Sequence, residues 1–231
     1  MIINLLLNKN NLNLSILFHI IFGLICFYNM VFFVAFFYII LIDLATRIIK
    51  NPNRQNILLA ISYVASLELL GRILSASPFV PYEVGKYFQL FLLLYATSRK
   101  LSFDLNPLIM LFLLIPSILT TVFYHQTSDG IIFNLLGPIN IALGIFIFKG
   151  FKVNISILFD SLRLILFPIL SIFILCLMNV SSLKDLVFTL NANFQVTAGF
   201  GSNQVSTMLG FGVIVLFIII ENGSKFSKNK F

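Results

Sequence analysis

The stretch 193–212 joins a polar, glycine-containing loop directly to an apolar helix, and its residue types suit the binding of an anion. Gly199 and Gly201 permit positive φ angles and allow another group to approach the backbone closely. Ser202 or Asn203 is suited to cap the helix that follows. The first N–H groups of that helix, at the positive end of its dipole, would then form an anion site. The alternative, which physics alone favours, is a capped membrane helix whose small residues serve close packing.

Charged residues at the ends of two apolar segments form a second candidate group. Glu68 and Arg72 have the i,i+4 spacing that places two side chains on one helix face, where they can pair. A carboxylate within a membrane span is a functional candidate because burying a charge in hydrocarbon is costly. Glu83 and Lys86 lie at the start of the next segment. The structural alternative is a Glu68–Arg72 pair, with Lys86 extending its ammonium group to the membrane surface. Both interpretations are open at this point.

The composition indicates that membrane helices must position these residues. Hydrophobic residues make up 59% of the chain and charged residues 10%, and the mean hydropathy is +1.04. A soluble domain needs far more polar surface than this. The apolar runs are long and continuous, without the alternation typical of membrane strands. The sequence therefore predicts an all-α fold, a polytopic transmembrane helical bundle that forms a single domain over residues 1–231.

Eight apolar segments predict about eight membrane spans. They cover residues 12–27, 30–46, 55–74, 84–97, 107–124, 131–148, 161–180 and 203–220. Pro116 and Pro168 lie within the fifth and seventh segments and predict kinks there. In the sixth segment, Gly137-Pro138 lies between Asn134 and Asn140, which predicts a kinked or locally opened helix. Such a helix at membrane depth must face protein or a wet cavity.

The distribution of basic residues predicts the orientation of the chain. If the N-terminus is cytoplasmic and the segments alternate, twelve of the 15 basic residues are cytoplasmic, as the positive-inside rule requires. Both termini are then on the cytoplasmic side. The cytoplasmic residues are Lys9, Arg47, Lys50, Arg54, Arg99, Lys100, Lys149, Lys152, Arg163, Lys225, Lys228 and Lys230. The outer residues are Arg72, Lys86 and Lys184.

Other chemistry-bearing residues give weaker signals. Cys26 and Cys176 lie within apolar runs and are interpreted as buried hydrophobic residues. His125 and Asp129 can form a general-base pair, although an exposed turn explains them better. His19 is typical of a residue that packs helices together. No cluster has metal-ligand spacing, and the dispersed basic residues do not indicate nucleic-acid binding.

The motif Gly-Phe-Gly-Ser-Asn-Gln-Val-Ser at residues 199–206, entering a membrane helix, resembles the O-antigen ligase and polymerase family. Further similar pieces occur in the family's order: Glu68…Arg72, Tyr82-Glu83-Val84-Gly85-Lys86-Tyr87 and Asn134…Gly137-Pro138. Ser202 stands where the family often has proline. The resemblance covers the N-terminal half of such proteins. The large outer loop that follows this half in the family is missing from the sequence. It therefore suggests a truncated member, a split gene product or a fragment.

The resemblance implies a glycosyltransferase of the inner membrane that acts at its outer face, in the synthesis of lipopolysaccharide or another surface polysaccharide. Its donor would be a polyprenyl-diphosphate-linked glycan, and its acceptor a hydroxyl of a lipid or of another glycan. No cofactor or metal is expected, because Arg and Lys supply the positive charge. The general base and the other catalytic residues are not identified. The implied diphosphate ligands are Arg72, Lys86, Ser202, Asn203 and Gln204, supported by Glu68, Glu83, Gly199 and Gly201.

Two alternatives belong to other classes. One is a non-enzymatic multi-pass membrane protein, either transporter-like or lipid-binding. A transporter typically has inverted repeats or paired discontinuous helices, and the sequence shows neither clearly. The other is an inactive remnant of the enzyme. An in-frame continuation in the neighbouring genomic sequence would favour the enzyme over the remnant.

Overall fold

The computed structural model describes residues 2–8, 12–99, isolated positions between 109 and 119, 128–180, 197 and 201–228. Only the backbone is described for residues 2, 4, 128–134, 202 and 223–228. Within this part of the chain, the regular secondary structure is entirely α-helical, which confirms the predicted all-α class. The helices are α1 Ile2–Leu7, α2 Leu12–Tyr28, α3 Val31–Lys50, α4 Arg54–Ile73, α5 Val84–Ser98, α6 Ser128–Phe148, α7 Ile155–Asn179 and α8 Ser202–Lys228.

Four of the described helices are long and apolar enough to cross a membrane, fewer than the eight spans predicted. They are Val31–Lys50, Arg54–Ile73, Ile155–Asn179 and Asn203–Asn222. The stretches Leu12–Tyr28 and Leu135–Phe148 are apolar but shorter. The α5 helix has 15 residues, below the roughly 20 that a straight span requires. The fifth predicted segment, 107–124, lies mostly outside the described residues.

Several helix boundaries differ from the sequence-based prediction. The α7 helix begins at Ile155, ahead of the predicted residue 161. Asn154 explains this early start, because its side chain accepts a hydrogen bond from Ser156 N at 3.4 Å and so caps the helix. The α8 helix continues to Lys228, past the predicted end at residue 220. Hydropathy locates the apolar part of a helix, whereas caps determine where the helix begins.

The α7 helix is central among the described helices. It contacts α2, α4 and α8, while α4 also contacts α3 and α5, and α5 packs against α6. The core between them is rich in aromatic side chains. The largest fully buried ones are Tyr63, Phe33, Phe37 and Phe167. This arrangement leaves α4, α5, α6 and α8 around a common space on one side of the bundle.

Polar contacts hold α2 against α4 and α7. His19 is fully buried; its Nε2 lies 2.9 Å from Tyr63 Oη and its Nδ1 lies 2.8 Å from Ser15 O. Because a carbonyl only accepts, Nδ1 must carry the proton and Nε2 must accept from the Tyr63 hydroxyl. Ser171 Oγ donates to His19 O at 2.6 Å. A Cβ at Gly23 would lie 2.8 Å from Ser171 O, so glycine permits this close approach. The prediction that His19 packs helices is confirmed.

Candidate functional site

A cavity of about 940 Å³ lies between α4, α5, α6 and α8. One part of its wall is polar and the other is apolar. The polar part contains Glu68, Arg72, Lys86, Gln89, Asn140, Asn203, Gln204 and Thr207. The apolar part includes Leu58, Ile61, Leu69, Leu93, Ile141 and Phe148. Cavities of this size with a few convergent polar groups are typical ligand sites.

The cavity brings together most of the residues selected from the sequence. Glu68 and Arg72 from α4, Lys86 from α5, and Asn203 and Gln204 from α8 all line it. Two further predicted residues lie close by: Glu83 bonds to Arg72 across the α4–α5 connection, and Gly201 directly precedes α8. Gly199 and the side chain of Ser202 lie outside the described part.

Arg72 and Lys86 form one network with two carboxylates. Arg72 Nη2 donates to Glu68 Oε1 and, at 2.9 Å, to Glu83 Oε1. Lys86 Nζ lies 2.7 Å from Glu83 Oε2. The side chains of Glu68, Arg72 and Glu83 are at most 10% exposed, and that of Lys86 is 28% exposed. The predicted Glu68–Arg72 pair is confirmed, but the bridging role of Glu83 was not foreseen.

The guanidinium of Arg72 also contacts an aromatic ring. Its Cζ lies 4.5 Å from the centroid of the Tyr82 ring, within the range of a cation–π interaction. Both of its hydrogen bonds to described residues use Nη2. Nη1 and Nε make no hydrogen bond to any described residue. The side of the guanidinium that carries these two donors therefore remains able to bind a ligand in the cavity.

A glycine allows α5 to start directly beside Glu68. A Cβ built at Gly85 would overlap Glu68 Oε2 and would lie 2.9 Å from Glu68 Cβ. Real Cβ atoms essentially never approach another atom this closely, so a larger residue at position 85 would displace the Glu68 side chain. Glycine is required here for the close approach of two helices rather than for an unusual φ angle. The missing side chain at Gly85 leaves the space that Glu68 of the Glu68–Arg72 pair occupies.

The two cations are neutralised by their own partners. Arg72 and Lys86 contribute two positive charges, and Glu68 and Glu83 contribute two negative charges, so the ionised network is neutral overall. The sequence offered Glu68 as a partner for Arg72, whereas the contacts of Glu83 with both Arg72 and Lys86 were not predicted. The cause is the packing of the 74–83 connection, which brings Glu83 back onto Arg72. An anion in this cavity would depend on directed N–H donors more than on net charge.

The N-terminus of α8 faces this network across the cavity. Gly201 O accepts from Val205 N at 3.3 Å and from Gln204 N at 3.0 Å. Gly201 therefore occupies the cap position, where the sequence suggested Ser202 or Asn203. Thr207 Oγ1 donates to Asn203 O at 2.7 Å. The side-chain amides of Asn203 and Gln204 make no hydrogen bond to described residues, and both line the cavity.

Two further amide side chains, those of Gln89 and Asn140, line the cavity, and only one of them was expected to. Asn140, in the Gly-Pro region of α6, was expected to border a cavity, and it does so together with Gly137. Gln89 was missed, although a single amide in an otherwise apolar segment was a detectable signal. Asn140 Nδ2 donates to Lys86 O at 3.0 Å, which ties α6 to α5. The described residues contain no group of three or more His, Cys, Asp or Glu side chains arranged to hold a metal ion.

Comparisons of the chain with protein-family models, with curated proteins and with solved structures found no match. The resemblance to the O-antigen ligase and polymerase family therefore stays a prediction.

Proposed function

We propose that this membrane protein binds a polyprenyl-diphosphate-linked glycan in the cavity between α4, α5, α6 and α8. In this proposal it is an O-antigen ligase- or polymerase-like protein of surface polysaccharide synthesis. One observation carries the proposal. Arg72, Lys86 and the first turn of α8 line the polar part of a single cavity that also has a long apolar wall. A lipid with a compact anionic headgroup has this same division between polar and apolar parts.

The polar part of the cavity suits a diphosphate. Arg72 offers Nη1 and Nε, a pair of donors that can bind two phosphate oxygens side by side. The N-terminus of α8 contributes the positive end of a long helix dipole, and anions are bound there by backbone N–H groups. Asn203 and Gln204 add side-chain N–H donors on the same turn. These N–H donors supply the attraction for an anion that the neutral charge network lacks.

The apolar part of the cavity suits the start of the polyprenyl chain. It extends along α4 from the level of Arg72 to Leu58, a distance of about 21 Å at a rise of about 1.5 Å per residue. Its wall includes Gly137 and Gly144 from α6, and a Cβ built at either residue meets nothing within 4 Å. A hydrocarbon chain in this space would remove apolar surface from water.

We place the polar part at the outer face of the inner membrane. Arg54 at the start of α4 and Arg72 near its end are separated by about 27 Å along the helix axis, close to the thickness of a hydrocarbon core. Arg54 Cζ lies 5.8 Å from the centroid of the Phe151 ring, so the connections 51–53 and 149–154 are neighbours. Lys50 and Arg54 flank the first connection and Lys149 and Lys152 lie in the second, which supports a cytoplasmic position for that end.

The reaction we propose for this site is glycosyl transfer. An acceptor hydroxyl would attack the anomeric carbon of the glycan and release its proton to water, and the polyprenyl diphosphate would leave with the electron pair of the broken bond. Arg72 and the α8 N–H groups would stabilise the charge that develops on the leaving oxygen. A second candidate is a lipid-binding protein without transfer activity. It is favoured by the mutual neutralisation of Arg72, Lys86, Glu68 and Glu83, which is typical of a structural network.

Lipid binding to the purified chain in nanodiscs tests the proposal. The ligands are a polyprenyl diphosphate, the matching monophosphate and the free polyprenol. We expect the diphosphate to bind most tightly. We expect Arg72→Ala and Arg72→Lys to weaken its binding by about tenfold or more, because lysine lacks the fork of donors. The matched control is Arg163→Ala, which removes an arginine paired with Asp160 that does not line the cavity.

Equal binding of the three lipids, or unchanged binding by Arg72→Ala with an intact fold, would overturn the proposed site. A transfer assay in proteoliposomes separates the two candidates. Release of polyprenyl diphosphate in the presence of a hydroxyl acceptor supports the enzyme. Tight binding without release supports the lipid-binding protein.

A further inference from the structure

Four amide side chains from three helices line the polar part of the cavity. They are Gln89 of α5, Asn140 of α6, and Asn203 and Gln204 of α8. An amide combines a carbonyl acceptor with two N–H donors, so it matches a partner that both donates and accepts. The binding of a diphosphate, which only accepts, uses the donor side of such groups and leaves their carbonyl oxygens without a role.

Asn140 has an acceptor without a partner. Its Nδ2 donates to Lys86 O at 3.0 Å, and because a backbone carbonyl only accepts, this contact fixes the orientation of the amide. Oδ1 is therefore the atom left over, and it is buried with no hydrogen-bond partner among the described residues. The residue as a whole is 9% exposed. A buried carbonyl in this condition is costly, and a donor brought by a ligand would remove that cost.

Gln89 lines the cavity and makes no hydrogen bond to a described residue. It is the sixth residue of α5, which places it about 7.5 Å along the helix from Val84. A partly buried amide needs a polar group as its hydrogen-bond partner, because leaving it unpaired is costly. Since Gln89 lines the cavity, that polar group belongs to whatever occupies the cavity.

We propose that Gln89 and Asn140 recognise hydroxyl groups of the first sugar attached to the diphosphate. This inference rests on the proposed function and adds to it a sugar subsite inside the cavity. A hydroxyl donates one hydrogen bond and accepts others, so it can satisfy both halves of an amide. Asn140 Oδ1 accepts from a sugar hydroxyl, with a small shift of the side chains that now cover it. The exposed amides of Asn203 and Gln204 remain for the phosphate oxygens.

The position of Asn140 is consistent with a sugar next to the diphosphate. Its amide is bonded to the backbone of Lys86, and the side chain of Lys86 belongs to the same charge network as Arg72. A sugar linked to a diphosphate at Arg72 and the α8 N-terminus would therefore lie within reach of these amides. Donors and acceptors that the protein holds in place for a hydroxyl discriminate strongly against a ligand that lacks this hydroxyl.

The test compares polyprenyl diphosphate carrying one hexose with polyprenyl diphosphate carrying none, using the full chain in nanodiscs. We expect the glycosylated lipid to bind at least about fivefold more tightly, the effect of one or two uncharged hydrogen bonds. Gln89→Met keeps the side-chain volume and removes both polar groups, and it should abolish that preference without weakening the sugar-free lipid. Asn140→Leu should also abolish the preference, but it breaks the bond to Lys86 O as well and can therefore weaken both lipids. The control is Asn222→Leu, which removes an α8 amide that donates to Ile218 O and does not line the cavity.

Each outcome bears on the inference separately from the proposed function. Equal binding of the two lipids by the wild-type protein would overturn the sugar subsite while leaving the diphosphate site in place. An unchanged preference in Gln89→Met would also overturn it. That variant decides the matter if Asn140→Leu fails to fold, as judged by its helical circular dichroism. Failure of both lipids to bind would instead overturn the proposed function.

Discussion

At the residue scale, Arg72 is the point where the charge network and the proposed ligand site meet. One nitrogen of its guanidinium holds two carboxylates, and the other two nitrogens have no described partner. Its contact with Tyr82 stacks one face of the guanidinium against an aromatic ring. Lysine cannot reproduce this arrangement, because its single ammonium lacks the planar fork. A ligand would therefore meet an arginine that is already oriented.

Glu83 limits how strongly the site attracts an anion. Glu83→Gln changes the charge of the ionised network from neutral to +1, while the amide oxygen can still accept from Arg72. We expect diphosphate binding to become tighter by about tenfold, equivalent to about 1.4 kcal/mol. The measurement is the binding affinity in nanodiscs, with Asp160→Asn on α7 as the control for a carboxylate outside the cavity. Weaker binding in a normally folded Glu83→Gln protein would show that the carboxylate itself contributes to the site.

The sequence predicted one part of this network and missed the other. The Glu68–Arg72 pair follows from i,i+4 spacing within a helix, which is a fixed geometry. Glu83 is 11 residues from Arg72 in the chain, and their contact depends on the path of the connection 74–83. No periodicity determines such a path. Helix geometry is therefore readable from spacing, whereas contacts made through a connection are not.

At the element scale, α6 shapes the cavity through residues that lack bulk. Gly137 and Gly144 both line it, and neither position is filled by a neighbouring side chain. The sequence predicted an irregular α6 next to a cavity from its Gly-Pro pair. It could not identify the other helices of the cavity, because α5 packs against α6, and α4 and α8 border the same space, only in the tertiary structure.

Filling the cavity from α6 tests whether its apolar part holds the lipid chain. Gly144→Leu should place an isobutyl group in the space beside Phe148 and weaken polyprenyl diphosphate binding by about tenfold, since several buried methylene groups lose their site. The control is Gly210→Leu on α8, where a Cβ also meets nothing within 4 Å but which does not line the cavity. Affinity is measured in nanodiscs for both variants. Equal affinities of the two variants would show that the polyprenyl chain does not lie in the cavity.

At the scale of the whole molecule, composition was enough to predict a helical membrane protein, because so few polar residues cannot cover a soluble surface. The number of membrane spans was harder to predict from the sequence. Hydropathy marks apolar segments, but α2 has 17 residues and α5 has 15, so their length alone does not establish a full crossing. The packing of α7 against α2 and α4 could not be predicted from the sequence either, because these helices are distant in the chain.

Cysteine accessibility in intact cells tests the proposed orientation. Native Cys26 and Cys176 are buried and would first be replaced by alanine. We expect Ser77→Cys, in the connection after α4, to react with a membrane-impermeant maleimide from outside. We expect Lys152→Cys, in the connection before α7, to react only after the membrane is opened. The reverse pattern would place the polar part of the cavity in the cytoplasm.

We propose that a polyprenyl diphosphate occupies the cavity between α4, α5, α6 and α8. The most direct measurement is photo-crosslinking with a polyprenyl diphosphate that carries a diazirine near its headgroup, followed by mass spectrometry of the labelled peptides. We predict label on cavity residues such as Leu69 and Ile141, and its loss when excess unlabelled lipid is added. Label confined to the exposed face of α8, at Val213 and Phe217, would show that the lipid only surrounds the protein and would contradict the claim.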